Sequence, residues 1–146
     1  MKKYLIILFF AIACSPKGSN EDNTLSRIED PEVMKYAVEG KTIYENHCGN
    51  CHQSDGSGLG KLIPPIKDSD YFQESVHRTV WIIKHGQEGE IVVNGQVYNQ
   101  PMPASPQLTP LEISQISTYL YNIWGMNKGK ITSKEVEKYL QEKPTF

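Results

Sequence analysis

The sequence predicts an all-α domain with one small β-hairpin set into it. Three observations carry this expectation. Apolar residues recur at helical spacing in several stretches, and three of these open on a capping pattern: Asp30-Pro31, Thr109-Pro110 with Glu112, and Thr132 with Glu135. Strand signals are confined to Glu90-Ile91-Val92-Val93 and Gln96-Val97-Tyr98, which flank Asn94-Gly95. The first helical stretch also runs straight into Cys48-Gly49-Asn50-Cys51-His52, the pentapeptide around which the chain is organised. A length of 146 residues with an ordinary apolar fraction allows one modest domain plus extensions.

The chain starts with Met1-Lys2-Lys3 and a short apolar run from Tyr4 to Ala13, which reads as a signal peptide. About ten apolar residues cover half of a bilayer core, too few for a spanning helix. Ala11-Ile12-Ala13-Cys14 resembles a bacterial lipobox, in which small residues precede a cysteine that becomes the lipidated first residue. An ordinary signal peptide with an incidental Cys14 is the competing reading. Residues 15–30 are polar and turn-rich, too poor in apolar groups to order themselves, and read as a tether with a mean reach of roughly 20 Å. Loss of Lys2 and Lys3 with the leader takes the basic residues from 15 to 13 against 17 acidic ones, a formal charge of −4. With no basic stripe either, nucleic acid is not an expected partner.

Asp30 is placed to cap a helix that starts at Pro31, where the missing N–H costs nothing. Val33, Tyr36, Ala37, Gly40, Ile43 and Tyr44 line its inner face. Gly40 costs about 1 kcal/mol against Ala inside a helix, a cost that a close helix crossing would explain. The helix delivers Cys48-Gly49-Asn50-Cys51-His52. Two thiols three positions apart on a helical turn can each add to one vinyl group of the same porphyrin, and the next residue can turn its imidazole to the iron. A zinc site would need a second pair of ligands, which His47, His77 and His85 do not form by spacing. A redox dithiol would need a βαβ context that the flanking sequence lacks. Cys14 for lipid and Cys48 and Cys51 for haem account for all three cysteines.

The loop Gln53 to Gly60 is glycine-rich without a phosphate-binding pattern and is expected to wrap the haem edge. Leu62-Ile63-Pro64-Pro65-Ile66 is stiff and apolar; a carbonyl from it could orient the ligating histidine through its other ring nitrogen. Tyr71 to Lys84 reads as helix, with or without a break near Gln73, and Gly86 stops it. Val76, Val80 and Ile83 form its inner stripe. The late helix is expected from Pro110 to about Trp124, burying Ile113, Ile116, Leu120 and Ile123, with Leu108 stapled to Ile113. A last amphipathic stretch from Thr132 shows Val136, Tyr139 and Leu140; a docked helix is the expected reading, a partner-facing appendage the other. His47, His77 and His85 are expected at the surface or at caps, and Trp81, Trp124 and Tyr98 in the core or against the haem.

Taken together these features resemble the class I c-type cytochromes, monohaem proteins in which an N-terminal helix ends in the haem motif and a C-terminal helix crosses it. The resemblance covers about Asp30 to Asn127. Gly40 and Tyr44 stand where the family has a glycine and an aromatic at the crossing, and Tyr119 matches the aromatic that packs there. Pro64 resembles the proline whose carbonyl accepts from the ligating His52, with Pro65 as the competing choice. The hairpin and the helix after Met126 depart from the minimal pattern. Met34, Met102, Met126 and the spare histidines are the candidates for the sixth ligand. Met102 is chosen because Pro101 and Pro103 stiffen its loop, and because it lies between hairpin and late helix, where the family carries its ligand. The expected organisation is a signal peptide over 1–13, a lipidated tether over 14–30, a cytochrome domain over 31–128 and a helical extension over 129–146. One haem c would be held by Cys48 and Cys51, packed by Pro64 and Tyr98, and ligated by His52 and Met102. The resemblance implies a monomeric one-electron carrier rather than an enzyme. It would face the periplasm of a bacterium on its Cys14 lipid anchor and exchange electrons with redox proteins such as an upstream donor complex and a terminal oxidase or reductase. A haem enzyme or gas or redox sensor with an open iron site is the alternative.

Overall fold

A computed structural model describes residues 25–146; the leader, Cys14 and the tether as far as Thr24 lie outside the described residues. The chain first meets the core earlier than the expected boundary at Pro31. Leu25–Arg27 forms a 3₁₀ turn, and Leu25 and Ile28 pack against the core, so two apolar side chains dock the end of the stretch assigned to the tether. Helix α1 follows over Pro31–His47, its first amides capped by Asp30 Oδ1, which accepts from Glu32 and Val33 at 2.8 and 3.1 Å. Val33, Ala37, Gly40 and Tyr44 make its buried face.

Helix α1 ends at Cys48, whose amide donates to the Tyr44 carbonyl, and a single turn α2 over Gly49–His52 continues from it. The expected helix after Tyr71 is two helices, α3 over Asp70–Glu74 and α4 over Val76–His85. Their break falls at Ser75, which is extended and caps α4 by accepting from the Arg78 amide. The hairpin pairs β1, Ile91–Val93, with β2, Gln96–Tyr98, in the register Ile91 to Tyr98. Asn94 in its turn exchanges hydrogen bonds with Asp70, which ties the hairpin to the start of α3.

Helix α5, Pro110–Ile123, opens on the expected capping box of Thr109 and Glu112. It is buried on more than one side: Ile113, Ile116 and Leu120 are joined by Ser114, Ser117, Thr118, Tyr119 and Tyr121. Ile123 is only half-buried. Helices α1 and α5 cross at Gly40, where a Cβ would lie 2.0 Å from the Gln115 carbonyl oxygen and 2.9 Å from Tyr119 Cβ. No side chain fits between these backbones, which is why the helix tolerates a residue that weakens it. Next to the crossing, the Tyr44 and Tyr119 rings lie 5.7 Å apart, and the Trp124 ring meets both edge-on.

Helix α6, Ser133–Tyr139, docks on α4 and α5. Val136 is fully buried and Ile131 nearly so, both in the same core cluster as the crossing. Asn122 holds Gly129 from both sides of its amide, and His77 stacks on Tyr139 while its Nε2 donates to the Glu142 carbonyl. The C-terminal segment is therefore part of the packed body.

Candidate functional site

Tyr44 fixes the end of α1 from inside. Its hydroxyl donates to the Gln53 carbonyl at 2.6 Å, across the turn that holds both cysteines, and burial pushes its pKa well above the ordinary phenol range. The Cys51 and His52 amides both donate to the Cys48 carbonyl, so Cys48, Cys51 and His52 are presented by one tight turn. Cys48 is partly buried, and burial, with the neighbouring Cys51 thiol adding to it, pushes its thiol up to about 11. Cys51 is exposed.

His52 is buried, and its Nδ1 lies 3.2 Å from the Pro64 carbonyl. A carbonyl only accepts, so Nδ1 carries the proton and Nε2 keeps its lone pair for a metal. Burial lowers the imidazole pKa, with the Pro64 bond opposing it, which favours the neutral, ligating form. The carbonyl within reach is that of Pro64 rather than Pro65. The glycine-rich loop sets this contact. The Gly58 amide donates to the His52 carbonyl, the Leu59 amide to the Ile63 carbonyl, and the Gly56 carbonyl accepts from Ile66 and Lys67.

These residues form one side of an apolar cavity of about 360 Å³. Met102 lines the same cavity, as do Ile63, Phe72 and Ile83, and Ile116 and Leu120 from α5. The Met102 loop is held by a two-bond bridge to Gln87: the Met102 amide donates to the Gln87 carbonyl at 2.9 Å and the Gln87 amide returns the bond at 3.0 Å. Tyr98 is buried against the cavity, and its hydroxyl donates to the Gly60 carbonyl. Met34 and Met126 do not line it, nor do His77 and His85, whereas His47 does, from the last residue of α1 beside Cys48; His85 stacks against Trp81, which lies on an adjoining groove. Trp124 packs on Gly56 and the crossing rather than into the cavity.

Two groups at the cavity were not expected from the sequence. Tyr71 lines it with a buried hydroxyl that lacks a partner among the described residues, and Arg78 is buried beside it. The Glu74 and Arg78 pair at helical i, i+4 spacing was the one signal in the sequence that pointed there. Two thiols and a neutral histidine on one turn, beside an apolar cavity of this size, fit a porphyrin.

Comparison with known proteins gives sequence relatives of this chain. Two sequences of cytochrome c-552 from Thermus thermophilus are each 28% identical over 117 residues. These alignments cover 74% of this chain and 88% and 78% of the two relatives. The cytochrome c subunit of a quinone alcohol dehydrogenase from Gluconacetobacter polyoxogenes is 28% identical over 107 residues, which is 70% of this chain but 22% of that subunit. The family description "Cytochrome c" matches residues 37–124, more than half of the chain, from the middle of α1 to the Trp124 packing. With its covalent haem c, electron-carrying chemistry and mainly helical fold around a small hairpin, the chain belongs to the cytochrome c family.

Proposed function

We propose that this protein is a one-electron carrier in which Cys48 and Cys51 hold the haem and His52 and Met102 ligate its iron. A bound haem supplies a one-electron iron couple. The residues of the chain do the rest: Pro64 holds the His52 ring, and the Gln87 bridge and the flanking prolines hold the Met102 thioether. With His52 and Met102 both supplied by the protein, the ligand set of a bound haem would stay constant between oxidation states and its potential would be raised. The observation that carries the reading is that Met102 lines the same cavity as His52 while its backbone is pinned by both bonds of the Gln87 bridge. Cys51 is exposed and Leu62, on the cavity lining, is 52% exposed, so the porphyrin edge near the thioethers would reach the surface where a partner can take an electron.

The protein is exported and held at a bacterial membrane by a lipid on Cys14, facing the periplasm. Among the described residues no helix is long and apolar enough to cross a membrane. Its partners are redox proteins of a respiratory chain. One relative is a subunit of a quinone-linked dehydrogenase, which supports an assembly of this kind.

Met102→Ala tests the ligation. The variant should keep its covalent haem, lose the sulfur-to-iron charge-transfer band at the red end of the oxidised spectrum, fall in potential and bind carbon monoxide. Unchanged spectrum and potential would mean that Met102 is not the ligand. Rapid stoichiometric carbon monoxide binding by the native ferrous protein would favour a sensor or enzyme with an open site. For the anchor, Cys14→Ser should release haem-loaded protein into the soluble fraction; wild-type protein found there free of lipid would remove the lipoprotein reading.

A further inference from the structure

Gln53, the residue after His52, has a backbone conformation that its side chain does not favour. Its φ is 64° and its ψ 157°, a region occupied almost solely by glycine. Among the described residues, the other non-glycine residues at positive φ are Asp68, Asn94 and Asn127, whose short polar side chains tolerate the left-handed region. A glutamine lacks that tolerance, so the surrounding structure must hold it there. Two bonds to its carbonyl do so: the Tyr44 hydroxyl donates at 2.6 Å and the Gly56 amide at 3.2 Å. Tyr44 is fully buried and lines the cavity, its ring packed against Tyr119 and Trp124. One peptide earlier, the His52 carbonyl accepts from the Gly58 amide at 3.0 Å. Both peptide groups that follow His52 are therefore fixed, and the second is fixed against strain.

We infer that Tyr44 is a positioning residue for the axial His52, acting through Gln53: its hydroxyl clamps a strained backbone and so fixes the angle at which the imidazole meets the cavity. The inference rests on the haem reading above. The bond between Nδ1 and Pro64 decides which nitrogen faces the cavity, but the ring is carried by the His52 backbone, and a turn of that backbone tilts it. Released from the clamp, Gln53 would relax toward negative φ and swing the peptide that joins it to His52. The clamp also accounts for the phenol. Ring packing at the helix crossing needs no oxygen, whereas a buried hydroxyl needs a partner, and here that partner is the strained carbonyl. Burial, with the Cys48 thiol adding to it, raises the Tyr44 pKa, so the group remains a donor.

The test is a double-mutant cycle of Tyr44→Phe and Gln53→Gly in the full-length holoprotein. Phenylalanine keeps the ring and leaves the Gln53 carbonyl its bond from Gly56, and glycine adopts the Gln53 conformation without strain. The readout is the proton NMR spectrum of the ferric protein, in which the shifts of the porphyrin methyls and of the His52 ring follow the orientation of the imidazole. The charge-transfer band is recorded alongside, to show that the sulfur ligand is unchanged. Tyr44→Phe should shift these resonances with the band retained. Gln53→Gly should leave them in place, and the double variant should return them to their wild-type positions, because a backbone without strain needs no clamp. Gln53→Gly should also raise the urea midpoint, since the strain relieved exceeds the freedom that glycine adds to the unfolded chain. A tyrosine that only packs the crossing would lose stability in both backgrounds and move no resonance. Resonances unmoved by Tyr44→Phe, or shifted by the same amount whether or not Gln53 is replaced, would overturn the inference, as would a lower midpoint for Gln53→Gly. A wild-type spectrum without paramagnetically shifted resonances would instead remove the haem reading on which the clamp rests.

Discussion

On the His52 side of the cavity the links are short in sequence and successive. Helix α1 ends at Cys48, α2 turns immediately, the Gly58 amide returns to His52, and Pro64 closes on its ring. On the Met102 side one two-bond bridge joins Gln87, after α4, to a loop that lies beyond the whole hairpin. Both sides use the same local device. Gly58, at φ +71°, lets the chain pass where a Cβ would meet the Ile63 oxygen at 2.4 Å, and Gly86, at φ +80°, where one would meet the Met102 oxygen at 2.6 Å. The difference teaches that the histidine is placed by local structure on the turn that carries both cysteines, whereas the methionine is placed by non-local bonds between its loop and the end of α4, the Gln87 bridge and the bond from the Ser105 amide to the Ile83 carbonyl. The methionine side should therefore give way first under heat or denaturant, since a loop held by few bonds opens at lower cost than the global fold.

The largest effect expected is on the covalent hold. Replacing Cys48 and Cys51 together by Ser should abolish haem staining on a denaturing gel, while Met102→Ala leaves it intact; staining that survives the double change would break the distinction between the sides. Gly40→Val comes next, because it strikes the helix crossing beneath the histidine side. Its branched side chain has no room against the Gln115 carbonyl, and a loss of about 3 kcal/mol or more is expected in chemical denaturation.

Gly58→Ala and Gly86→Ala form a matched pair. Each forces an L residue into the left-handed region, at about 1–2 kcal/mol, and adds a backbone clash. Gly86→Ala should lower the temperature at which the charge-transfer band disappears, well ahead of global unfolding. Gly58→Ala should shift the potential by disturbing the Pro64 to His52 bond, with the band retained. The reverse pattern would show that the two sides are not independently held.

The smallest effect belongs to Glu112, which caps the helix lining both sides. Hydrogen bonds from Thr109, the backbone amide first and the hydroxyl second, hold its carboxyl below the usual range. A folded pKa below the unfolded one contributes stability above the unfolded carboxylate pKa, and that contribution is lost as pH falls through the folded value. Glu112→Gln should cost no more than about 1 kcal/mol at pH 7 and should flatten the stability curve on the acid side. An acid-unfolding profile identical to wild type would show that the cap is not coupled to folding.

Much of this architecture was legible because its causes are local. The Asp30, Thr109 and Thr132 caps, the Asn94-Gly95 turn and the pentapeptide each depend on residues a few positions apart, and all appear at the expected places. Gly40 was readable as well, since a glycine inside a helical stripe has a cost that only close packing offsets. The break at Ser75 was harder to place than the helices around it. Val76, Val80 and Ile83 continue one periodic stripe, and the capping by Ser75 shows itself only once the chain has turned there. Leu25 and Ile28 looked too sparse to order a polar stretch, but docking on an existing core needs far less apolar surface than folding alone.

By itself the sequence determined the chemistry that the chain can carry: two thiols and an imidazole on one turn, capped helices on either side, and a methionine stiffened by two prolines. The tertiary structure alone decided that Pro64 rather than Pro65 meets His52, that Gln87 holds Met102, and that Tyr71 and Arg78 stand together at the cavity with a donor left over. The reason is physical. Caps, turns and periodicity are set by neighbours along the chain, whereas which carbonyl meets a ring and which hydroxyl is left without an acceptor depend on angstrom-scale distances between segments that the fold alone brings together.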